Sequence, residues 1–391
     1  MMKLFTGNPG SRVDINSIKL LCAALLIHTA GPQTVIVLPG FIQGLVKYVC
    51  FSDKQAGFIA SAELWGMTAA VIAITFLVGR LNWRRVFVIA LFLIVIGNLI
   101  SIFISDFYTF CVIRFLTGIG GGAIVVLSYA ILGLTTKADR NFGLGIMFVL
   151  VYGAVVFPLM PLVYNAVGMT GVLLFFASVA LIALPFVRYM PTSGEEHLEI
   201  DINAINIDWS RKSMALATML FYFIANFAVW SYFFRMGVNA GLSEQEVGNG
   251  LSASQFLGIA GAFTAAVVGA RFGRSLPLSL GIIGGAIPLL FLFSPISAFT
   301  YAVIASAYQF AWNMTHPYLL AAMASFDPTG KMVVYATCMQ FIGVSIGPAI
   351  GAMVISTGNY NNVLILGISL FVVCLILILP PVIREAGMVR Q

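Results

Sequence analysis

Hydrophobic and polar residues fall along this chain in long blocks. Apolar runs recur at 18–45, 55–79, 86–105, 107–134, 142–165 and 171–190, and again at 213–236, 246–270, 276–294, 297–325, 332–357 and 361–383. A helix needs about 20 apolar residues to cross the hydrocarbon of a bilayer, so each run reads as one crossing and the pattern predicts twelve spans. The longest hydrophilic interruption, Pro191 to Lys212 with Glu195, Glu196, Glu199, Asp201 and Asp208, reads as a linker. It divides the chain into 1–190, 191–212 and 213–391, two halves of six spans each. The first span follows a polar segment and has no small-residue cleavage site after it, so it is expected to be retained as a helix.

Composition agrees with the blocks. Apolar residues make up 60% of the chain and charged residues 9%, against about 25% charged in soluble domains. An all-α integral membrane protein in contact with lipid is therefore expected. The basic balance, +6 overall, follows from the loops. Only Lys47, Lys54 and Arg235 fall on one side of the predicted topology and Arg114 within the membrane; every other Lys and Arg falls on the other side, which marks it as cytoplasmic. With an even number of spans both termini share that side, and nucleic acid is not an expected partner. The five cysteines have neither pairing nor metal-type spacing, so no disulfide framework and no metal site is expected. No phosphate-cradling loop or nucleophile arrangement occurs, which disfavours an enzyme and leaves no cofactor to expect.

Charge inside a span is costly and is a functional hypothesis by default. Arg114 sits in FCVIRFLTGIGGG, residues 110–122, with Gly118, Gly121 and Gly122 on its own helical face. Glu63 lies about 15 Å of helix beyond Asp53, and Arg114 about 12 Å beyond Asp106. The similar depths favour pairing, either as a structural ion pair or as a proton-handling one. His28, near the middle of span 1 ahead of Gly31 and Pro32, is a second proton candidate. Gln33, Asn226, Trp230, Tyr308, Gln309, Trp312, Asn313 and His316 add hydrogen-bonding and stacking surfaces in spans 1, 7 and 10 and are the expected solute-binding set together with Arg114.

The two halves also resemble each other at an offset of about 190 residues, the mark of parallel internal repeats. FSDKQAGFIAS at 51–61 aligns with LSEQEVGNGLS at 242–252, FCVIR at 110–114 with YAVIA at 301–305, and Gly153 and Pro158 with Gly343 and Pro348. Short motifs complete the picture. GRLNWRR at 79–85 keeps Gly79, Arg84 and Arg85 of a glycine-acid-arginine loop pattern without its acid, and GARFGR at 269–274 keeps Gly269, Arg271, Gly273 and Arg274 with Ala270 in the acid's place. Arg114 and its glycines resemble a span-4 pattern. Gly145, Gly153 and Pro158 keep part of a span-5 glycine-proline pattern, of which Gly343, Gly347, Pro348 and Gly351 in span 11 are a fuller copy.

On these features the chain resembles the major facilitator superfamily. The resemblance implies two pseudo-symmetric six-helix bundles around a cavity lined by spans 1, 4, 7 and 10, and secondary transport of a small solute by alternating access. Read with the residues, it implies proton coupling through Glu63, His28 and Arg114, the two arginine loops as conformational motifs, and an organic or aromatic carboxylate as solute. The expected setting is the cytoplasmic (inner) membrane, with the protein a monomer. The alternative is a proton-coupled multidrug efflux antiporter; a polytopic membrane enzyme or a transport-like sensor are minor alternatives.

Overall fold

The computed structural model describes residues 14–193, 208–269, 271, 273–327, 331–356 and 358–389. Most of the expected linker (194–207), Ala270, and the terminal residues with Lys3, Arg12 and Arg390, on which the shared side of the termini depends, lie outside them. Thirteen α-helices follow in order: α1 (Ile18–Ala30), α2 (Gln33–Ile36), α3 (Leu38–Tyr48), α4 (Asp53–Leu77), α5 (Trp83–Ser101), α6 (Phe107–Gly133), α7 (Ala138–Ala183), α8 (Trp209–Asn239), α9 (Glu244–Val268), α10 (Ser275–Leu290), α11 (Ala298–Ser325), α12 (Lys331–Val354) and α13 (Asn361–Val389). Short 3-10 turns follow α4, α7 and α10. No named strand occurs among the described residues.

Nine helices among the described residues are long and apolar enough to cross a membrane. The sequence reading of twelve differs in three places. Span 1 is broken into α1, α2 and α3 at Gly31–Pro32 and Val37, because proline removes a helical hydrogen bond. Spans 5 and 6 are the two helical segments of α7, which part at Gly168, φ 63 and ψ −155, a conformation open to glycine, with no polar loop between them in an apolar stretch of 50 residues (Arg140–Tyr189). Span 10 is α11, 28 residues long but diluted by Gln309, Asn313 and His316 and so not among the nine. Large apolar side chains on the helices, among them Phe76, Ile89, Phe263, Phe299 and Ile376, are exposed, a surface suited to hydrocarbon.

Helix starts follow from local chemistry. Asn82, Asp106, Asp208, Ser243 and Ser297 each accept a hydrogen bond from a backbone N–H of the first turn that follows, and Ser243 forms a reciprocal capping box with Glu246. These caps satisfy donors that have no partner within the helix.

The residues cluster into two compact units. The first comprises Met1–Val37, Ala62–Tyr152 and Val163–His197; the second comprises Leu38–Ser61, Gly153–Leu162 and Leu198–Gln391. In the first, α1, α5, α6 and the end of α7 bury Leu20, Ile27, Phe87, Leu91, Ile124, Leu127, Ile131 and Ala180 in one apolar cluster. In the second, α8 packs along α12 and α13, and α9 along α11.

The second unit carries the internal repeat in its contacts. Ser61 of α4 donates to the Ser345 carbonyl of α12 at 2.5 Å, and its repeat partner Ser252 of α9 donates to the Ala154 carbonyl of α7 at 2.6 Å. A Cβ on Gly57 would crowd Ala352 and the Pro348 carbonyl, and one on Gly248 would crowd Pro161 and the Phe157 carbonyl. The same offset that relates 51–61 to 242–252 thus relates every member of the two seams. It pairs Pro348 with Phe157, one residue away from the proline-on-proline alignment, because the backbone contacts set the register.

The turns that precede α4 and α9 repeat as well. Gly241 adopts φ 93, and its counterpart Cys50 adopts φ 67, the only non-glycine positive φ among the described residues. Cys50 is exposed, so its side chain contributes little packing to offset a backbone cost of about 1 kcal/mol. Cys50→Gly is expected to leave the fold unchanged and to raise the thermal unfolding midpoint in detergent, a shift read by scanning fluorimetry; a lowered midpoint would show that the turn is not strained.

Candidate functional site

Glycines place the charged groups of the first unit. A Cβ at Gly118 would overlap the Glu63 carbonyl, one at Gly122 the Met67 carbonyl, and one at Gly66 the Phe115 carbonyl, so α4 and α6 meet backbone to backbone. Arg114 stands one turn before Gly118 and therefore faces the side chain of Glu63. Its fork closes on the carboxylate with Nε to Oε2 at 3.0 Å and Nη2 to Oε1 at 2.7 Å, the bidentate geometry that suits guanidinium. Its Nη1 donates to Asn98 Oδ1 of α5 at 3.0 Å, while Asn98 Nδ2 donates to the Ile94 carbonyl at 2.8 Å. Arg114 is 0% exposed and Glu63 6%. The triad is therefore a buried unit in which the guanidinium is already engaged.

Asn98 is the member that sequence reasoning missed. It is a lone amide in an apolar helix beside Gly97, whose Cβ would strike Thr117 of α6; a polar residue at a small-residue contact is the signal that was available.

The other proton candidate lies elsewhere. His28 of α1 packs edge-on against Tyr129, with ring centroids 4.7 Å apart, and Tyr129 lies about 22 Å of helix beyond Arg114 on α6. Gln33 donates to the Phe176 carbonyl at 3.1 Å. The structure thus joins Glu63 with Arg114 and does not bring His28 to them.

The expected solute-binding residues of α8 and α11 form an aromatic cluster in the second unit. Trp312 lies 6.1 Å from Trp230 and 6.3 Å from Tyr308 between ring centroids. Tyr308 donates to the Asn226 carbonyl at 3.2 Å, and Asn313 donates to Gln309 Oε1 at 3.2 Å. His316 bonds Gln340 at 3.1 Å and meets Phe223 edge-on. Gln340 was not anticipated.

An ionic network, also in the second unit, includes Lys47 and Arg235, two of the three basic positions that the topology had placed on the less basic side. Arg235 holds Asp53 at 2.8 and 3.3 Å and donates to Gln43 at 3.0 Å, and Tyr360 donates to Asp53 at 2.7 Å. Gln43 donates to Glu244 at 2.6 Å, and Lys47 reaches Glu244 at 3.0 Å. Burial pushes the Tyr360 phenol above its usual range, so it stays a donor to Asp53. Asp53 and Glu244 are repeat partners, so the network has its own internal symmetry.

The motif loops are local structures. Arg84 donates to the Met190 carbonyl and Trp83 N–H to the Thr192 carbonyl at 3.0 Å, tying the start of α5 to the chain after α7. Arg85 N–H donates to the Asn82 cap, and Gly79 lies in the preceding 3-10 turn. Gly269 and Gly273 adopt φ 51 and 69, which only glycine takes readily, around Arg271, and Arg274 precedes α10.

A family model described as the Major Facilitator Superfamily matches residues 23–238, more than half of the chain. The chain belongs to that superfamily. It is similar to the crystal structure of a D-xylose-proton symporter, with a TM-score of 0.73 at 15% identity over 91% of this chain and 96% of that one. It is also similar to that of the nucleoside transporter NupG, with a TM-score of 0.68 at 12% identity over 93% and 99%. In sequence it is 31% identical over 120 residues to NiaP of Bacillus subtilis (strain 168), named as a candidate niacin/nicotinamide transporter; the match spans 30% of each chain. This is a multi-pass membrane protein of a transporter superfamily whose members move small solutes.

The buried triad generates a stability prediction. Arg114→Met leaves the Glu63 carboxylate buried without its countercharge, at a cost of about 3–5 kcal/mol. The single variant is expected to unfold well below the wild type in a thermal scan, and Glu63→Gln combined with Arg114→Met to recover much of the loss. A double variant no more stable than the single one would contradict the pairing.

Proposed function

We propose that this superfamily member is a proton-coupled secondary transporter of a small aromatic or other organic carboxylate. The observation that carries the reading is the Glu63–Arg114 fork. A guanidinium engaged bidentately by one carboxylate can exchange it for another only if the first loses its charge, so protonation of Glu63 frees Arg114 for a solute carboxylate. Anion and proton then travel together as a neutral pair, which keeps net charge out of a low-dielectric site.

Several features support this. Trp230, Tyr308 and Trp312 form an aromatic cluster suited to a flat ring, with Asn226, Gln309, Asn313 and His316 as hydrogen-bonding neighbours, and Gln33 of the first unit is a further solute-binding candidate. Niacin, one of the two cargoes in the name of the Bacillus relative, is an aromatic carboxylate. Alternating access is supported by the Asp53–Arg235 and Lys47–Glu244 network and by the two repeat-related seams, which would have to part when the protein opens on that side. By the distribution of Lys and Arg that side is external, with the termini cytoplasmic in an inner membrane and the protein working as a monomer of two six-helix halves (1–190 and 213–391). His28 is a second proton site in this reading, and Gly79, Arg84, Arg85, Gly269, Arg271, Gly273 and Arg274 shape the loops that shift between states.

Transport in proteoliposomes tests it. Glu63→Gln is expected to retain counterflow while losing accumulation driven by a pH gradient; wild-type accumulation would remove Glu63 from the coupling. Arg114→Lys keeps the charge but loses the fork. It is expected to reduce carboxylate transport at least about tenfold while remaining folded, and preferential uptake of cationic dyes would instead favour multidrug export.

A further inference from the structure

The second unit has a groove of about 750 Å³ on its surface, the size of a ligand pocket. Its floor is α11, which packs against α9 on one side and α10 on the other, and its walls are Leu257 of α9 and Leu280 of α10. From Ala302 to Met314 the floor covers about 18 Å of helix, enough for one leaflet of a hydrocarbon core ~30 Å thick. Ser306 is the one polar side chain lining it, and Leu257, Leu280 and Val303 are exposed on it. An apolar space of this kind stays dry, and left empty it forfeits packing on every lining atom, so in a bilayer it takes an apolar guest.

The internal repeat accounts for the space. In the first unit a Cβ at Gly120 of α6 would meet the Leu93 Cβ of α5 at 3.2 Å, so Leu93 lies against α6. The offset that relates Ser61 to Ser252 carries Gly120 to Ala311 and Leu93 to Gly284, and a Cβ at Gly284 would meet the Ala311 Cβ at 3.4 Å. The helix contact is thus kept in both units. Where the first unit sets a leucine, however, the second has a glycine, and the groove opens there.

Charge marks one end of the groove. A Cβ at Gly281 would meet Thr315 and Met314, and one at Gly284 meets Ala311, so α10 runs antiparallel to α11 and the Leu280–Met314 end lies toward the start of α10. Arg274, which precedes α10, is about 9 Å of helix from Leu280, and the exposed Arg271 comes three residues earlier. No acidic residue occurs from 247 to 326, and the next one, Asp327, is held by Lys212 at 3.4 Å. An apolar strip of leaflet length that ends at a basic loop matches a lipid with an anionic headgroup.

We propose that this groove binds one anionic phospholipid, with an acyl chain along α11 between α9 and α10 and the phosphate at the Arg271–Arg274 loop. Phosphatidylglycerol and phosphatidylcholine with identical acyl chains, each titrated into the purified full-length protein in a non-ionic detergent and followed by scanning fluorimetry, test it. Phosphatidylglycerol is expected to raise the unfolding midpoint at a concentration at least about tenfold lower than phosphatidylcholine. Gly284→Leu places in the groove the leucine that the first unit has. It is expected to fold, with a lipid-free midpoint no lower than the wild type, and to need at least about tenfold more phosphatidylglycerol for the same shift; Arg271→Gln is expected to need about fivefold more. Because Arg271 is exposed, its variant decides the matter even if Gly284→Leu fails to fold. Equal responses to the two lipids, no response to either, or an undiminished response to phosphatidylglycerol in either folded variant overturns the site.

Discussion

The close backbone approach of α4 and α6 is the constraint on which the first unit depends. Gly66, Gly118 and Gly122 remove the side chains that would hold the two helices apart, and only at that separation does the Arg114 fork meet the Glu63 carboxylate with good geometry. A guanidinium alone in a membrane helix would be costly, and so would a carboxylate; joined, and with Asn98 taking the remaining direction, they become neutral and satisfied. In the proposed mechanism, removing the carboxylate's charge would release the arginine, so the packing that holds the pair would also make its protonation consequential.

The second unit is organised by a repeated device. The seams Ser61–Ser345 and Ser252–Ala154, the glycines at 57 and 248, the left-handed turns at 50 and 241 and the acids at 53 and 244 all obey one offset. Duplicated contacts of this kind share their loads, since each seam is a helix-on-helix contact through a small residue with one serine bond across it. The ionic network adds charge pairing beside both, bridged by Gln43.

Much of this was legible in the sequence because the signals are local. Apolar block length marks the helices. Gly31–Pro32 marks the break in span 1. The matched depths of Glu63 and Arg114 pointed to their pairing, since both sit a countable number of turns beyond an acidic residue. What was not legible depends on tertiary register. Asn98 carries no charge to advertise itself, and Gln43, Gln340 and Tyr360 gain their roles from helices distant in the chain. The one-residue register of Phe157 against Pro348 is set by backbone contact, which overrides the alignment of prolines. The break between spans 5 and 6, expected between 165 and 171, falls at Gly168, where a glycine dihedral takes the place of a polar loop.

In the proposed mechanism Glu63 takes up a proton when Arg114 turns to a carboxylate solute. Infrared difference spectroscopy of the purified protein, recorded with and without benzoate, tests this most directly by following the carbonyl stretch of a protonated carboxyl group. A new protonated-carboxyl band is expected on solute binding and is expected to be absent from Glu63→Gln. Solute binding with no such band, or the same band in Glu63→Gln, would contradict it.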